Sequence, residues 1–237
     1  LTEYLDDFPK NCIYMRWNYF YPWAEGNLKT IDWYKENNLK VMGATAGQTR
    51  WILMPQDYSN IESIKSFSLT SVSKKLDGLL LTLWDDDSPH FELYKRGIYA
   101  FAEYTWSGDD LSSDDFKSNF RHRFFSHKFF DEKFEFVDEL DKPVKDWANL
   151  FVIEKKHRNQ ITKAISPLKS HIIELPNFDN SGKWNEKFEQ KISTAKKYIE
   201  DLNKIIKKIK QQKALTIRGN YALDVYEQVA LLTKFSY

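Results

Sequence analysis

The chain has 237 residues, 42% of them hydrophobic, and a formal net charge of +1 from 35 Lys and Arg against 34 Asp and Glu. That length holds one large domain or two modest ones, and the apolar content excludes a globally disordered chain. The balanced charge gives no signal for nucleic acid, the single Cys12 excludes an internal disulfide, and no run of about 18 apolar residues could span a bilayer.

The chain begins at Leu1 with a polar, acidic segment and carries neither an initiating methionine nor the basic and apolar regions of a signal peptide. The expectation is a processed product or an excised piece of a longer protein. Its compartment stays open, and a bacterial parent exported to the periplasm or beyond fits the composition.

Asn11–Phe20 reads as an aromatic-rich strand, and Asn27–Asn37 carries Leu28, Ile31 and Tyr34 at helical spacing with Asn38 as its stop. Lys40–Ala46 is a second short strand ending at Gly47, and a helix is expected within Tyr58–Lys75. The near-continuous apolar run Leu79–Leu83 makes a third strand. Ser88 then serves as N-cap with Pro89 in the first turn of a helix whose inward face is Phe91, Tyr94, Ile98, Phe101 and Thr105. Strands alternating with helical crossovers imply a parallel sheet. Three such units span roughly 100 residues where a full eight-fold barrel takes about 250. The fold expectation for residues 1–108 is therefore α/β, the last three βα units of a (β/α)8 TIM barrel.

The texture changes after Gly108, and residues 109–237 read as an all-α helical bundle. A helix capped by Ser113, or by the Ser112-Ser113 pair, runs to Phe125, with Asp114 and Asp115 in its first turn. A second is expected over Lys142–Ser166, with Trp147, Leu150, Phe151 and Ile161 on its buried stripe. Pro176–Gly182 is a loop, and Trp184–Lys213 is the strongest helix, with Phe188, Ile192, Ala195, Ile199, Leu202, Ile206 and Ile209 repeating every three or four residues. Its lysines, from Lys204 to Lys210, read as a solvated face interspersed with acids. A last helix covers Asn220–Phe235, with Leu223, Tyr226, Val229, Ala230 and Thr233 inward.

The chemistry concentrates at the strand tips. Trp84-Asp85-Asp86-Asp87 puts an indole and three carboxylates at the end of a buried strand, where barrel enzymes build their polar sites. Adjacent like charges raise one another's pKa unless donors are close, and a hydroxyl-rich ligand supplies donors while the indole covers its C–H face. A helix-capping turn is the plain alternative. Trp17 and Tyr19 share one side of the first strand's tip within Arg16-Trp17-Asn18-Tyr19-Phe20-Tyr21-Pro22-Trp23, and Trp51 follows the second strand. Six of the eight tryptophans (Trp17, Trp23, Trp33, Trp51, Trp84, Trp106) fall before residue 108, which favours a ring-stacking surface there. His90 reads first as a solvent-facing helix-start residue, and Glu92 as structural. The acids lack the spacing of a calcium loop, and no metal site is expected. There is no phosphate-binding glycine loop, Cys-x-x-Cys, His-Glu-x-x-His or Gly-x-Ser-x-Gly.

Tyr14-Met15-Arg16-Trp17-Asn18-Tyr19-Phe20, Gly43-Ala44-Thr45-Ala46-Gly47 and above all Leu81-Thr82-Leu83-Trp84-Asp85-Asp86-Asp87 resemble the sixth, seventh and eighth strands of glycoside hydrolase family 20, the β-N-acetylhexosaminidases. The resemblance covers about 100 residues, with the helical half as a C-terminal extension. It implies that Trp84 stacks on a terminal N-acetylhexosamine and that Asp86, or Asp85, binds its outer hydroxyls. Tyr19 or Trp17, with Asn18, would hold the acetamido group. It implies no cofactor and substrate-assisted, retaining hydrolysis. The family's Asp-Glu pair at the end of the fourth strand would lie upstream of residue 1, so the chain alone is expected to be inactive. Its partners would be an N-acetylhexosamine-containing glycan and the remainder of the barrel or a second copy. A non-catalytic carbohydrate-binding module and a helical protein-interaction domain are the other two readings.

Overall fold

A computed structural model describes residues 2–47, 53–55, 57–84, 90–150 and 181–237. The protein is α/β and mostly helical. Strands β1 (Ile13–Trp17), β2 (Lys40–Ala46) and β3 (Gly78–Thr82) form a parallel sheet in the order β1-β2-β3. Helices α1 (Glu25–Glu36) and α2 (Asp57–Ser73) make the crossovers. The first crossover helix ends where the sequence supplies a residue tolerant of the turn. Asn38, just past α1, takes φ 55°, a left-handed conformation that asparagine accepts more readily than most residues.

The strand register separates two faces. Tyr14 and Arg16 line up with Val41 and Gly43, and Gly43 and Thr45 line up with Leu79 and Leu81. In a parallel sheet these in-register neighbours share a face, which packs on the helices. Tyr14 stacks on Tyr34 of α1 at 5.3 Å, and Arg16 Nε donates to Asn27 Oδ1 at 2.7 Å, while the buried Asn27 donates back to the Pro22 carbonyl. A Cβ at Gly43 would lie 2.8 Å from the Phe67 ring of α2, so only glycine lets helix and sheet approach this closely.

The opposite face carries Ile13, Met15, Trp17 and Leu80, between 40% and 52% exposed. Parallel sheets normally have both faces covered. Among the described residues, helices cover one face of this sheet and leave the apolar residues of the other open to solvent.

After β3, a 3-10 turn (Phe91–Tyr94) leads into α3 (Lys95–Ser107), which Gly108 ends at φ 67°. The cap of this segment is His90, whose side chain accepts from the Glu92 N–H; the expected capping pair Ser88-Pro89 lies outside the described residues. The buried stripe also differs from expectation. Leu93, Tyr94, Arg96, Gly97, Ala100 and Tyr104 are buried, whereas Phe91 is 58% exposed and Ile98, Phe101 and Thr105 are half-buried. The tight 3-10 start rotates the helix, and α3 is wedged between α2 and the next helix, α4 (Ser113–Phe124).

Ser112 caps α4 by accepting from the Asp115 N–H, and Ser113, the cap named first from the sequence, is the helix's first residue. Helix α5 spans Val137–Leu150 and therefore starts five residues before the expected Lys142, with Pro143 inside it. Two forces outweigh the proline's missing donor. The Glu135 carboxylate accepts from Val137 N–H (2.9 Å) and Asp138 N–H (3.2 Å), and Phe136, Val137, Leu140 and Val144 are all buried. Residues 151–166 of the expected helix, the side chains of Trp147 and Leu150, and residues 176–180 of the expected loop lie outside the described residues. Ser181 and Gly182, assigned to that loop, instead begin α6 (Ser181–Leu215), which α7 (Asn220–Ser236) follows. The inward stripe of α7 is the expected one: Leu223, Tyr226, Val229, Ala230 and Thr233 are buried.

One hydrophobic cluster runs from Ile61 and Ile64 of α2 through Ala100 and Tyr104 of α3 to Leu202, Ile209 and Leu223 in the bundle. The helix layer of the sheet is thus also a wall of the bundle. Buried beside it is a charge network. Arg96 and Lys117 each donate to Asp138 at 2.8 Å, and Arg121 pairs with Glu135 and also donates to the Phe129 carbonyl. Desolvation pushes the Asp138 carboxyl up, but the Arg96 and Lys117 charges and hydrogen bonds outweigh it and hold the pKa below the usual 3.8. No described helix is long and apolar enough to cross a membrane.

Candidate functional site

Three of the expected site residues meet at the C-terminal ends of the strands, on the open face. Trp17 closes β1, Tyr19 follows two residues later, and Trp84 stands two residues beyond β3. The register puts Ala44 opposite Trp17 on one side and Leu80 on the other, and Ala46 opposite Thr82. β1 and β3 lie about 10 Å apart across β2. Two indoles can bridge that gap only if the middle strand offers small side chains. Alanine at 44 and 46 meets the condition, and the Trp17 and Trp84 rings sit 5.9 Å apart at 61°. Tyr19 completes the group at 5.8 Å from Trp17 and 6.2 Å from Trp84. The two edge-to-face pairs, Trp17–Trp84 and Tyr19–Trp84, contribute about 0.5–1.5 kcal/mol each beyond burial.

Hydrogen bonds fix the Trp84 ring. Its Nε1–H donates to both Tyr19 Oη (3.1 Å) and Thr82 Oγ1 (3.0 Å), and the Thr82 hydroxyl donates in turn to the Thr45 carbonyl at 2.9 Å. The Trp84 carbonyl accepts from the hydroxyl of buried Tyr94. The tips are also stitched through the backbone, with Asn18 N–H on the Ala44 carbonyl and Gly47 N–H on the Thr82 carbonyl. Gly47 lets Leu83 lie close to the chain here, since a Cβ would lie 2.6 Å from Leu83 Cδ2. The indole is therefore held at its nitrogen edge and its backbone, and 46% of the neighbouring Trp17 surface stays exposed.

The aromatic surface continues past the tip. Phe20, Tyr21 and Trp23 are 41%, 52% and 45% exposed, and Tyr21 packs edge-on against Trp23 at 5.5 Å. Tyr21 adopts φ 49°, uncommon for a residue other than glycine, and turns the chain immediately before Pro22.

Asn18 belongs with Tyr14 and Arg16 by strand alternation, on the opposite side of the tip from Trp17 and Tyr19. Asp85, Asp86, Asp87 and Trp51 lie outside the described residues. His90 carries a structural load as cap, and its Nε2 faces Tyr221 Oη at 3.0 Å, while Glu92 pairs with Lys95 at 2.6 Å. Thr82 and Tyr94 are the supporting residues that sequence reasoning did not single out. The alternation Leu81-Thr82-Leu83-Trp84 does place Thr82 on the side of the indole, so that signal was present.

Away from the strand tips, a concavity of about 560 Å³ lies in the bundle and is lined by Lys117, Arg121, Glu132, Glu135, Asp138 and Glu139, among others. Its buried cations are already matched to Glu135 and Asp138, which leaves it without the uncompensated charge that would recruit an anion. Among the described residues no group of three or more His, Cys, Asp or Glu side chains could hold a metal ion.

No protein-family model, no curated protein and no solved structure matches the chain.

Proposed function

We propose that the Trp17–Tyr19–Trp84 cluster is a sugar-stacking platform and that the chain is a section of a β-N-acetylhexosaminidase-like glycoside hydrolase. In this reading the three βα units are part of a (β/α) barrel, and the helical bundle is its C-terminal extension. The observation that carries it is the anchored Trp84 indole, at the C-terminal ends of parallel strands, on a face open to solvent, one residue before three carboxylates. A pyranose offers a flat C–H face to such a ring and hydroxyls to the acids. The open apolar face of the sheet has the place that a barrel interior would have, and further strands or a second copy would cover it.

The complete enzyme would remove terminal N-acetylhexosamine by retaining hydrolysis in which the acetamido group attacks the anomeric carbon. That chemistry needs adjacent Asp and Glu at a strand end. The two Asp-Glu pairs of this chain, Asp131-Glu132 and Asp138-Glu139, are both in the helical half, and Asp138 is tied to buried cations. This chain therefore supplies one wall of the subsite, and chromogenic N-acetylglucosaminide should not turn over in its presence. Robust hydrolysis by the pure chain would contradict this division of labour.

A non-catalytic carbohydrate-binding module is the second reading, favoured by a platform that is complete without any acid/base pair. Calorimetric titration with N-acetylglucosamine and with glucose tests what the two readings share. Binding of the N-acetyl sugar, lost in Trp84→Ala, supports the platform; no heat with the unmodified chain contradicts it. Joining the upstream reading frame to this chain then separates the readings, because only the enzyme gains hydrolysis.

A further inference from the structure

We infer that the helical half positions the platform through the 3-10 turn Phe91–Tyr94, with His90 and Tyr94 as positioning residues and Tyr221 of α7 as their anchor; this deepens the sugar-platform reading and rests on it. Four contacts form an unbroken series. Tyr221 Oη meets His90 Nε2 at 3.0 Å, with the two rings edge-to-face at 5.4 Å. His90 Nδ1 accepts from the Glu92 N–H at 3.1 Å and so caps the turn. The turn carries Tyr94, 1% exposed, whose hydroxyl donates to the Trp84 carbonyl. Trp84 in turn donates its indole N–H to Tyr19 and Thr82.

The chemistry of the imidazole makes the link directional. A ring nitrogen that accepts from a backbone N–H carries no proton, so the neutral ring bears its hydrogen on Nε2 and donates it to Tyr221. The capping contact thus fixes the tautomer, and the Tyr221 hydroxyl, which can accept the Nε2 hydrogen, holds the ring where Nδ1 meets the turn that carries Tyr94. Packing supports the same path, since α7 lies directly against the 3-10 turn. Tyr221, 131 residues downstream of His90, is in this way joined to the indole through side-chain and backbone contacts.

The two His90 functions can be separated by substitution. Asparagine places an acceptor near Nδ1 and keeps the cap but does not extend to Tyr221. Glutamine reaches toward Tyr221 and gives up the cap acceptor. The experiment uses the full chain labelled with ¹⁵N, reads the Trp84 indole N–H resonance (assigned with Trp84→Phe), and then titrates N-acetylglucosamine. Tyr221→Phe and His90→Asn are expected to shift that resonance and to weaken sugar binding roughly threefold to tenfold, the loss of one hydrogen bond. His90→Gln, which gives up the cap through which the link runs, should shift it as well. Tyr221 is 60% exposed, so its variant should fold normally. An unmoved indole resonance in both Tyr221→Phe and His90→Asn would overturn the link. So would a shift in His90→Gln with none in Tyr221→Phe, which would put the effect in the cap alone. If the parent chain binds no sugar, the platform reading fails while the resonance still decides the mechanical link.

Discussion

Asp138 holds two buried cations at once, and replacing it with asparagine should be among the most damaging conservative changes in the bundle. The Arg96 and Lys117 side chains are only 6% and 9% exposed, and each donates to Asp138 at 2.8 Å. Removing one partner of a buried ion pair costs about 3–5 kcal/mol, because the other charge is left without compensation in a poor solvent. Two features reduce that here. The Asp138 side chain is 33% exposed, and Arg96 and Lys117 keep weaker contacts with Glu135 at 3.7 Å and Asp114 at 3.8 Å. The expected loss for Asp138→Asn is therefore about 2–4 kcal/mol, read by urea unfolding at neutral pH followed by circular dichroism. Asp138→Asn combined with Lys117→Met should be less destabilised than the two single changes summed, since one stranded cation is gone. The pH dependence has a definite sign. A carboxyl whose folded pKa is depressed adds stability above its unfolded value near 3.8, and loses it as pH falls through the folded value. Parent and variant should therefore converge as the solution is acidified below 3.8. A loss under about 1 kcal/mol at neutral pH, or a gap that widens in acid, would refute this reasoning.

Two glycines should respond in opposite directions to alanine. At Gly43 the new methyl would lie 2.6 Å from Leu79 Cδ1 and 2.8 Å from the Phe67 ring, an overpacking cost of about 1–3 kcal/mol in chemical denaturation. At Gly26, in the first turn of α1, the methyl meets nothing within 4 Å, and the change should stabilise by up to about 1 kcal/mol. In alkali, the buried phenols of Tyr104 and Tyr226 are pushed up to about 12 by desolvation, whereas unfolded tyrosines ionise near 10. The unfolded state releases these protons first, so stability should fall between pH 10 and 12, and Tyr226→Phe should flatten that decline in thermal melts.

The amino-acid pattern carried most of the secondary structure because the signals there are local. Lys40–Ala46 is a strand with the expected ends, and the three- and four-residue spacing on α7 translates directly into its buried stripe. Expectation failed where long-range packing overrides local chemistry. Pro143 argues against a helix around it, yet the Glu135 cap and four buried apolar residues carry α5 through it. The inward face of α3 shifted because that helix is covered on two sides, which no single-stripe pattern encodes. The Arg96–Lys117–Asp138 network joins three separate helices, so no spacing in the chain announces it.

At the site, strand alternation was enough to pair Trp17 with Tyr19. The meeting of both with Trp84 depended on the β1-β2-β3 order and on alanine at 44 and 46, which become meaningful only once the register is known. Thr82 was readable from the same alternation, two residues before the indole. Tyr94 was counted as core, and it is; its hydroxyl nonetheless reaches the Trp84 carbonyl, a contact set by the tight 3-10 turn. Of the stripe expected on the long helix, Leu202, Ile206 and Ile209 pack into the common core.

The central claim is that a sugar lies against the Trp84 indole beside Trp17 and Tyr19. The most direct measurement follows all the tryptophan indole N–H resonances while N-acetylglucosamine is added to the ¹⁵N-labelled chain. Trp84 and Trp17 should move together along one saturable curve, with Trp33 and the 94% exposed Trp106 unchanged. Saturable binding that leaves Trp84 and Trp17 still, or no saturation at all, would contradict the account.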